Sequence, residues 1–126
     1  MYKILVVDDD SDNLKVFEIL FKTIEKRYNI KYELYKVEWK KEDKIENLLK
    51  MNPDIIFLDI KLPGISGIEI KRQLETWGYL KPIVAQTASA TEKETSEYEK
   101  IFEDGVLIKP IAENKVVEFL KKYGIL

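Results

Sequence analysis

The sequence predicts an α/β fold: a doubly wound parallel sheet of five strands, with five helices on its two faces. Three observations carry that expectation. Short apolar runs alternate with longer segments whose apolar residues recur at helical spacing. Four of the five runs are nearly continuous in apolar residues, as strands covered on both faces are. Four runs also end directly in residues suited to chemistry, and in an open parallel sheet the carboxyl ends of the strands share one ligand-binding edge. Strand-helix alternation of this kind implies right-handed crossovers.

The first run, Lys3 to Val7, leads into Asp8-Asp9-Asp10. Leu14, Phe17, Leu20, Phe21 and Ile24 then form the apolar face of a first helix, with Ser11 or Asp12 placed to cap it. The second run, Tyr32 to Val37, alternates, with Tyr32, Leu34 and Lys36 on one side, which is the pattern of an edge strand. Ile45, Leu48, Leu49 and Met51 mark a second helix that Asn52-Pro53 stops. The third run, Asp54 to Leu58, leads into Asp59, and a third helix carrying Ile68, Ile70, Leu74 and Trp77 ends at Gly78. The fourth run, Ile83 to Gln86, leads into Thr87. Thr91 with Glu94 makes a capping box for a fourth helix extending to Asp104-Gly105. Its first half, Glu92 to Glu97, is polar all round, so Tyr98, Ile101 and Phe102 must anchor it. The fifth run, Val106 to Ile108, leads into Lys109, and Val116, Val117, Phe119, Leu120 and Tyr123 place the last helix.

At 126 residues the chain fits one domain, expected over 1–126 with no linker or repeat. A net charge of -2 lends no support to nucleic-acid binding. The absence of cysteine excludes disulfides and thiolate metal sites, and the absence of histidine excludes a Ser-His-Asp triad and imidazole ligation. Any metal must therefore be held by oxygen, which favours Mg²⁺ or a similar hard cation. No apolar stretch reaches the roughly 20 residues that span a bilayer, and the N-terminus lacks a signal-peptide core, so a cytoplasmic protein is expected.

Gathered at one edge, Asp8, Asp9 and Asp59 would repel one another unless a cation neutralised them. A carboxylate can attack phosphorus and form an aspartyl phosphate. The charge that spreads over the phosphoryl oxygens then calls for a metal, an ammonium and a hydroxyl, and Lys109 and Thr87 supply the last two. Alone, Asp8 to Asp12 is a solvated turn, Asp59 a loop acid, Thr87 a strand-end residue and Lys109-Pro110 an ordinary loop. Four separate runs delivering the right residue to one edge is a more specific signal.

Over its whole length the chain resembles the receiver domain of two-component response regulators. The resemblance rests on Ile4 to Asp10, Ile55 to Gly67, Pro82 to Ala88 and Gly105 to Pro110. It implies the flavodoxin-like strand order 2-1-3-4-5 and a signalling phosphoacceptor domain rather than an enzyme. Asp59 would accept a phosphoryl group from a phosphohistidine on a sensor histidine kinase or a histidine phosphotransfer domain. Asp9, Asp59 and the backbone carbonyl of Lys61 would bind Mg²⁺, with Asp8 helping through water. Thr87 and Lys109 would hold the phosphoryl oxygens, and Lys109-Pro110 would be cis. A phosphorylation-dependent homodimer is among the arrangements the resemblance allows.

One position departs from the pattern. Receivers usually carry an aromatic residue or histidine three residues before the lysine, where this chain has Val106. The aromatic half of the usual switch is thereby in doubt, and a receiver-like interaction module that works without phosphorylation is the alternative. Lys61 and Ser89, two residues after Asp59 and Thr87, are rim positions that could set the lifetime of the phosphoryl group. A haloacid-dehalogenase-like phosphatase would use the Asp8-Asp9-Asp10 triplet, but its motif wants Thr or Val where Asp12 stands. An EF-hand loop starting at Asp8 fails, because Asn13 and Ile19 fill its glycine and glutamate positions.

Overall fold

The computed structural model describes residues 1–88 and 91–126. Strands β1 (Tyr2–Asp8), β2 (Tyr32–Glu38), β3 (Ile55–Asp59), β4 (Ile83–Thr87) and β5 (Val106–Ile108) form one parallel sheet. Its order is β2-β1-β3-β4-β5, the 2-1-3-4-5 order expected. The helices between them are α1 (Ser11–Tyr28), α2 (Ile45–Lys50), α3 (Gly67–Thr76), α4 (Glu92–Ile101) and α5 (Glu113–Lys122).

Side chains alternate across a strand, so each central strand feeds two cores. Ile4 and Val6 of β1, with Ile55 and Phe57 of β3, pack against Phe17, Phe21 and Ile24 of α1 and Val116 and Leu120 of α5. Leu5, Val7, Ile56 and Leu58 face the other way, onto Leu48 of α2 and Ile70 and Leu74 of α3. Continuous apolar runs are what this double coverage requires.

Several details differ from the sequence expectation. The fifth run is not covered on both faces: β5 is an edge strand, with only Leu107 buried and Ile108 41% exposed. Helix α1 is capped by the Asp10 carboxylate, which accepts from the backbone N–H of Asp12 at 2.9 Å, rather than by Ser11 or Asp12. Helix α3 ends at Thr76, so Trp77 is a cap residue left 40% exposed rather than a core contact. Helix α4 stops at Ile101, short of Asp104-Gly105, because Phe102 leaves helical geometry and its ring is fully buried in the α2/α3 core. In the predicted capping box the Thr91 hydroxyl accepts from the Glu94 N–H at 3.2 Å, and donates to the Glu94 carboxylate at 2.8 Å.

An antiparallel hairpin of two short strands, Lys61–Leu62 and Ile65–Ser66, was not foreseen. It follows β3 directly and turns at Gly64, whose φ of 77° suits glycine. Gly67 then opens α3 against the end of β3: a Cβ there would lie 2.2 Å from the Asp59 carbonyl oxygen. Glycine is what lets α3 begin so close to the strand end that carries Asp59.

Candidate functional site

Parallel pairing lines up the carboxyl ends of the strands. Val7 pairs with Leu58, Asp59 with Gln86, and Thr87 with Ile108. The next residue after β1 is Asp9, and the next after β5 is Lys109. Residues from opposite ends of the chain, Asp8 and Lys109 among them, therefore meet. One carboxylate oxygen from each of Asp8, Asp9 and Asp59 lies within 4.8 Å of the others.

The Lys109 ammonium donates to Asp8 Oδ2 at 2.9 Å and to Asp59 Oδ2 at 2.9 Å. Asp59 Oδ1 accepts from the Lys61 backbone N–H at 3.2 Å. Asp8 Oδ1 accepts from the Asp10 N–H at 2.9 Å, and Asp8 Oδ2 also accepts from the Asn13 amide at 2.6 Å. Thr87 is buried at the end of β4, and its carbonyl accepts from the Lys109 N–H at 2.8 Å, fixing the loop that carries the ammonium. The Lys109-Pro110 bond is cis.

Asp8 is fully buried and Asp59 is 5% exposed, whereas Asp9 is exposed. Burial pushes the Asp59 carboxyl up to about 6; Lys109 pulls it down, but the Asp8 charge beside it adds to the rise. Burial works on Asp8 in the same sense, but the Asp10 N–H and the Lys109 ammonium outweigh it and hold that carboxyl below its ordinary value. Lys109 is held protonated: burial opposes its charge, and the two carboxylates overcome that penalty. Two buried carboxylates against one ammonium leave an excess of negative charge, the natural place for a cation.

The strand ends thus gather Asp8, Asp9, Asp59 and Lys109, with the Lys61 backbone against Asp59 and Thr87 at the end of β4, its backbone bonded to Lys109. The Lys61 residue is exposed, as a rim position would be. Ser89, the other expected rim position, and Ala90 lie outside the described residues. Val106 pairs with Ala85 and is partly buried against the α2/α3 core.

Sequence reasoning missed Asn13 and Gln86. Asn13 donates to both Asp8 Oδ2 and Gln86 Oε1, the latter at 2.8 Å. Gln86 is fully buried, with Nε2 3.4 Å from the carbonyls of Val7 and Phe57. A signal was present: a glutamine inside an otherwise apolar, doubly covered strand must have buried partners.

A family model described as response regulator receiver domain matches residues 4–121. Sensory transduction protein LytT of Bacillus anthracis is 36% identical over 132 residues, covering 98% of this chain and 47% of its own length. Stress response regulator protein 1 of Scheffersomyces stipitis is 32% identical over 117 residues, covering 90% of this chain and 38% of its own. The chain therefore spans about half the length, or less, of these curated relatives. Among solved structures, response regulator protein TrrA from Thermotoga maritima in complex with Mg(2+)-BeF aligns with a TM-score of 0.72 at 26% identity, covering 98% of this chain and 99% of that one. The BeF3-activated DrrB receiver domain gives a TM-score of 0.74 at 21% identity, covering 98% and 97%. Among the described residues no helix is long and apolar enough to cross a membrane. The match from inside β1 to inside α5 makes this chain a member of the response regulator receiver domain family.

Proposed function

We propose that residues 1–126 form a single receiver domain that takes a phosphoryl group from a partner phosphohistidine onto Asp59, with Mg²⁺ bound beside it. The observation that carries this reading is the Lys109 ammonium bridging two buried carboxylates, Asp8 and Asp59, at 2.9 Å each. An Asp59 oxygen attacks phosphorus as the phosphorus–nitrogen bond breaks, and the electron pair of that bond leaves with the imidazole. The Lys109 ammonium then follows the negative charge onto a phosphoryl oxygen, and the Thr87 hydroxyl donates to another. The chain contains no histidine, so the donor is a kinase or phosphotransfer histidine on another domain or protein.

The residues present fit Mg²⁺. Every available ligand is oxygen, three carboxylate oxygens lie within 4.8 Å of one another, and the single ammonium leaves the cluster short of positive charge. Asp9, Asp59 and the Lys61 carbonyl would hold the ion, with Asp8 acting through water. When bound, the ion offsets charge on the phosphoryl oxygens. TrrA, the relative at 26% identity, is described with Mg(2+)-BeF, which supports the same use here. Incubation with Mg²⁺ and a small phosphodonor, followed by intact-mass measurement, tests the reading. Gain of one phosphoryl group that disappears on Asp59→Asn is expected; an unchanged mass in the wild-type chain would point to the phosphorylation-independent module instead.

A further inference from the structure

Asp8 has no exposed surface, so its charge relies on the groups packed against it. Among the described residues three donors hold it: the Asp10 N–H on Oδ1, and Asn13 Nδ2 and Lys109 Nζ on Oδ2. Of these, Lys109 is committed twice, since it also holds Asp59. If the ammonium moves to a phosphoryl oxygen, as the proposed function requires, Asp8 loses one of two donors on Oδ2. Removing a partner from a buried charge is costly unless another stays in place.

Asn13 is built to stay. Its side-chain nitrogen sits 2.6 Å from Asp8 Oδ2 and 2.8 Å from Gln86 Oε1, so its two hydrogens have one acceptor each. The reversed amide would set oxygen against two oxygens, which fixes the orientation. Gln86 is itself anchored: it is fully buried, and its nitrogen reaches the carbonyls of Val7 in β1 and Phe57 in β3. Gln86 also immediately precedes Thr87 on β4, so the bracket is tied to the strand that carries the hydroxyl.

We infer that Asn13, seated by Gln86, is a positioning residue that keeps the Asp8 carboxylate paired and oriented when Lys109 turns to the phosphoryl group. The role rests on the proposed phosphoacceptor reading and adds two residues to it. It also predicts an unequal effect. With metal alone Lys109 still serves Asp8, so the loss of Asn13 matters little. With a phosphoryl group in place, Asn13 is the side-chain donor that remains.

Calorimetric titration of the purified chain with Mg²⁺, and with beryllofluoride in saturating Mg²⁺ as a phosphoryl mimic, reads this difference. Asn13→Ala is expected to change Mg²⁺ affinity by less than about threefold while weakening beryllofluoride binding about tenfold or more, the size of a lost hydrogen bond to a charged group. Gln86→Leu is expected to shift both in the same pattern but less, and serves as the second variant if Asn13→Ala does not fold. Asn13→Ala binding the mimic as the wild type does would overturn the inference. So would equal losses for metal and mimic, the mark of a merely structural residue. A wild-type chain that binds no beryllofluoride would sink the phosphoacceptor reading and this role together, and that failure shows in the unaltered protein.

Discussion

Helices α1 and α4 both begin at the sheet edge that carries the acid cluster, yet they are held in opposite ways. Helix α1 runs 18 residues and buries Leu14, Phe17, Leu20, Phe21 and Ile24, as well as Asn13 beside Asp8. An Arg27–Glu113 ion pair at 2.7 Å also ties it to α5. Helix α4 runs 10 residues and buries none; its nearest firm anchor is Phe102, just beyond its end. The first helix is fixed by a core and the fourth by its ends. The contrast divides the site: the side bearing Asp8 and Asn13 is built to hold still, while helix α4 has little apolar burial to lose.

The largest expected effect tests the fixed side. Phe17 is fully buried and packs on Phe57 with ring centroids 5.4 Å apart. Phe17→Ala should destabilise the fold by about 3–5 kcal/mol, whereas Tyr98→Ala in α4 should cost about 1 kcal/mol, as changes at partly buried positions do. Equal losses in denaturant titration would erase the contrast.

The next effect concerns the carboxylates between the two sides. Asp59 carries a raised value of about 6 in the folded chain, so the native state binds its proton more tightly than the unfolded chain does. Without metal, stability is therefore greatest below the ordinary carboxylate value of about 4 as far as this group is concerned, and is lost as pH rises towards 6. Asp8 is shifted the other way, so its contribution changes only below that window. Thermal melts of the metal-free chain from pH 4 to 7 should show the decline, and Asp59→Asn should flatten it. A wild-type curve that rises through this window would show that Lys109 outweighs burial at Asp59.

Smaller still is the expected difference in amide exchange. Hydrogens of α4 should exchange at least about tenfold faster than those in the middle of α1; equal protection would mean that α4 has support its burial does not reveal. The smallest effect belongs to Val106. A short β-branched side chain has one strongly preferred rotamer and no inward-outward swing. Its methyl signals should barely respond to beryllofluoride while Thr87 shifts, and a large Val106 response would place the relay there after all.

Much of this was legible because it depends on strand ends. A buried parallel strand shows as an apolar run, and the residue that follows it lands at the edge, so Asp8, Asp59, Thr87 and Lys109 could be placed from spacing alone. What escaped depends on contacts that leave no period. Strands of two residues, as in the Lys61–Leu62 and Ile65–Ser66 hairpin, are too short to show alternation. The early end of α4 follows from Phe102 turning inward, a tertiary preference that overrides a helical pattern. The exposure of Ile108 reflects the place of its strand at the sheet edge, which composition does not reveal. The role of Asn13 left no signal because its two partners, Asp8 and Gln86, come from different strands.

The most direct test of the account is where the phosphoryl group sits. After reaction with Mg²⁺ and a small phosphodonor, reductive trapping of the acyl phosphate and peptide mapping should place the modification on Asp59 alone. Modification of Asp8 or Asp9, or none at all, would contradict the assignment of Asp59 as the acceptor.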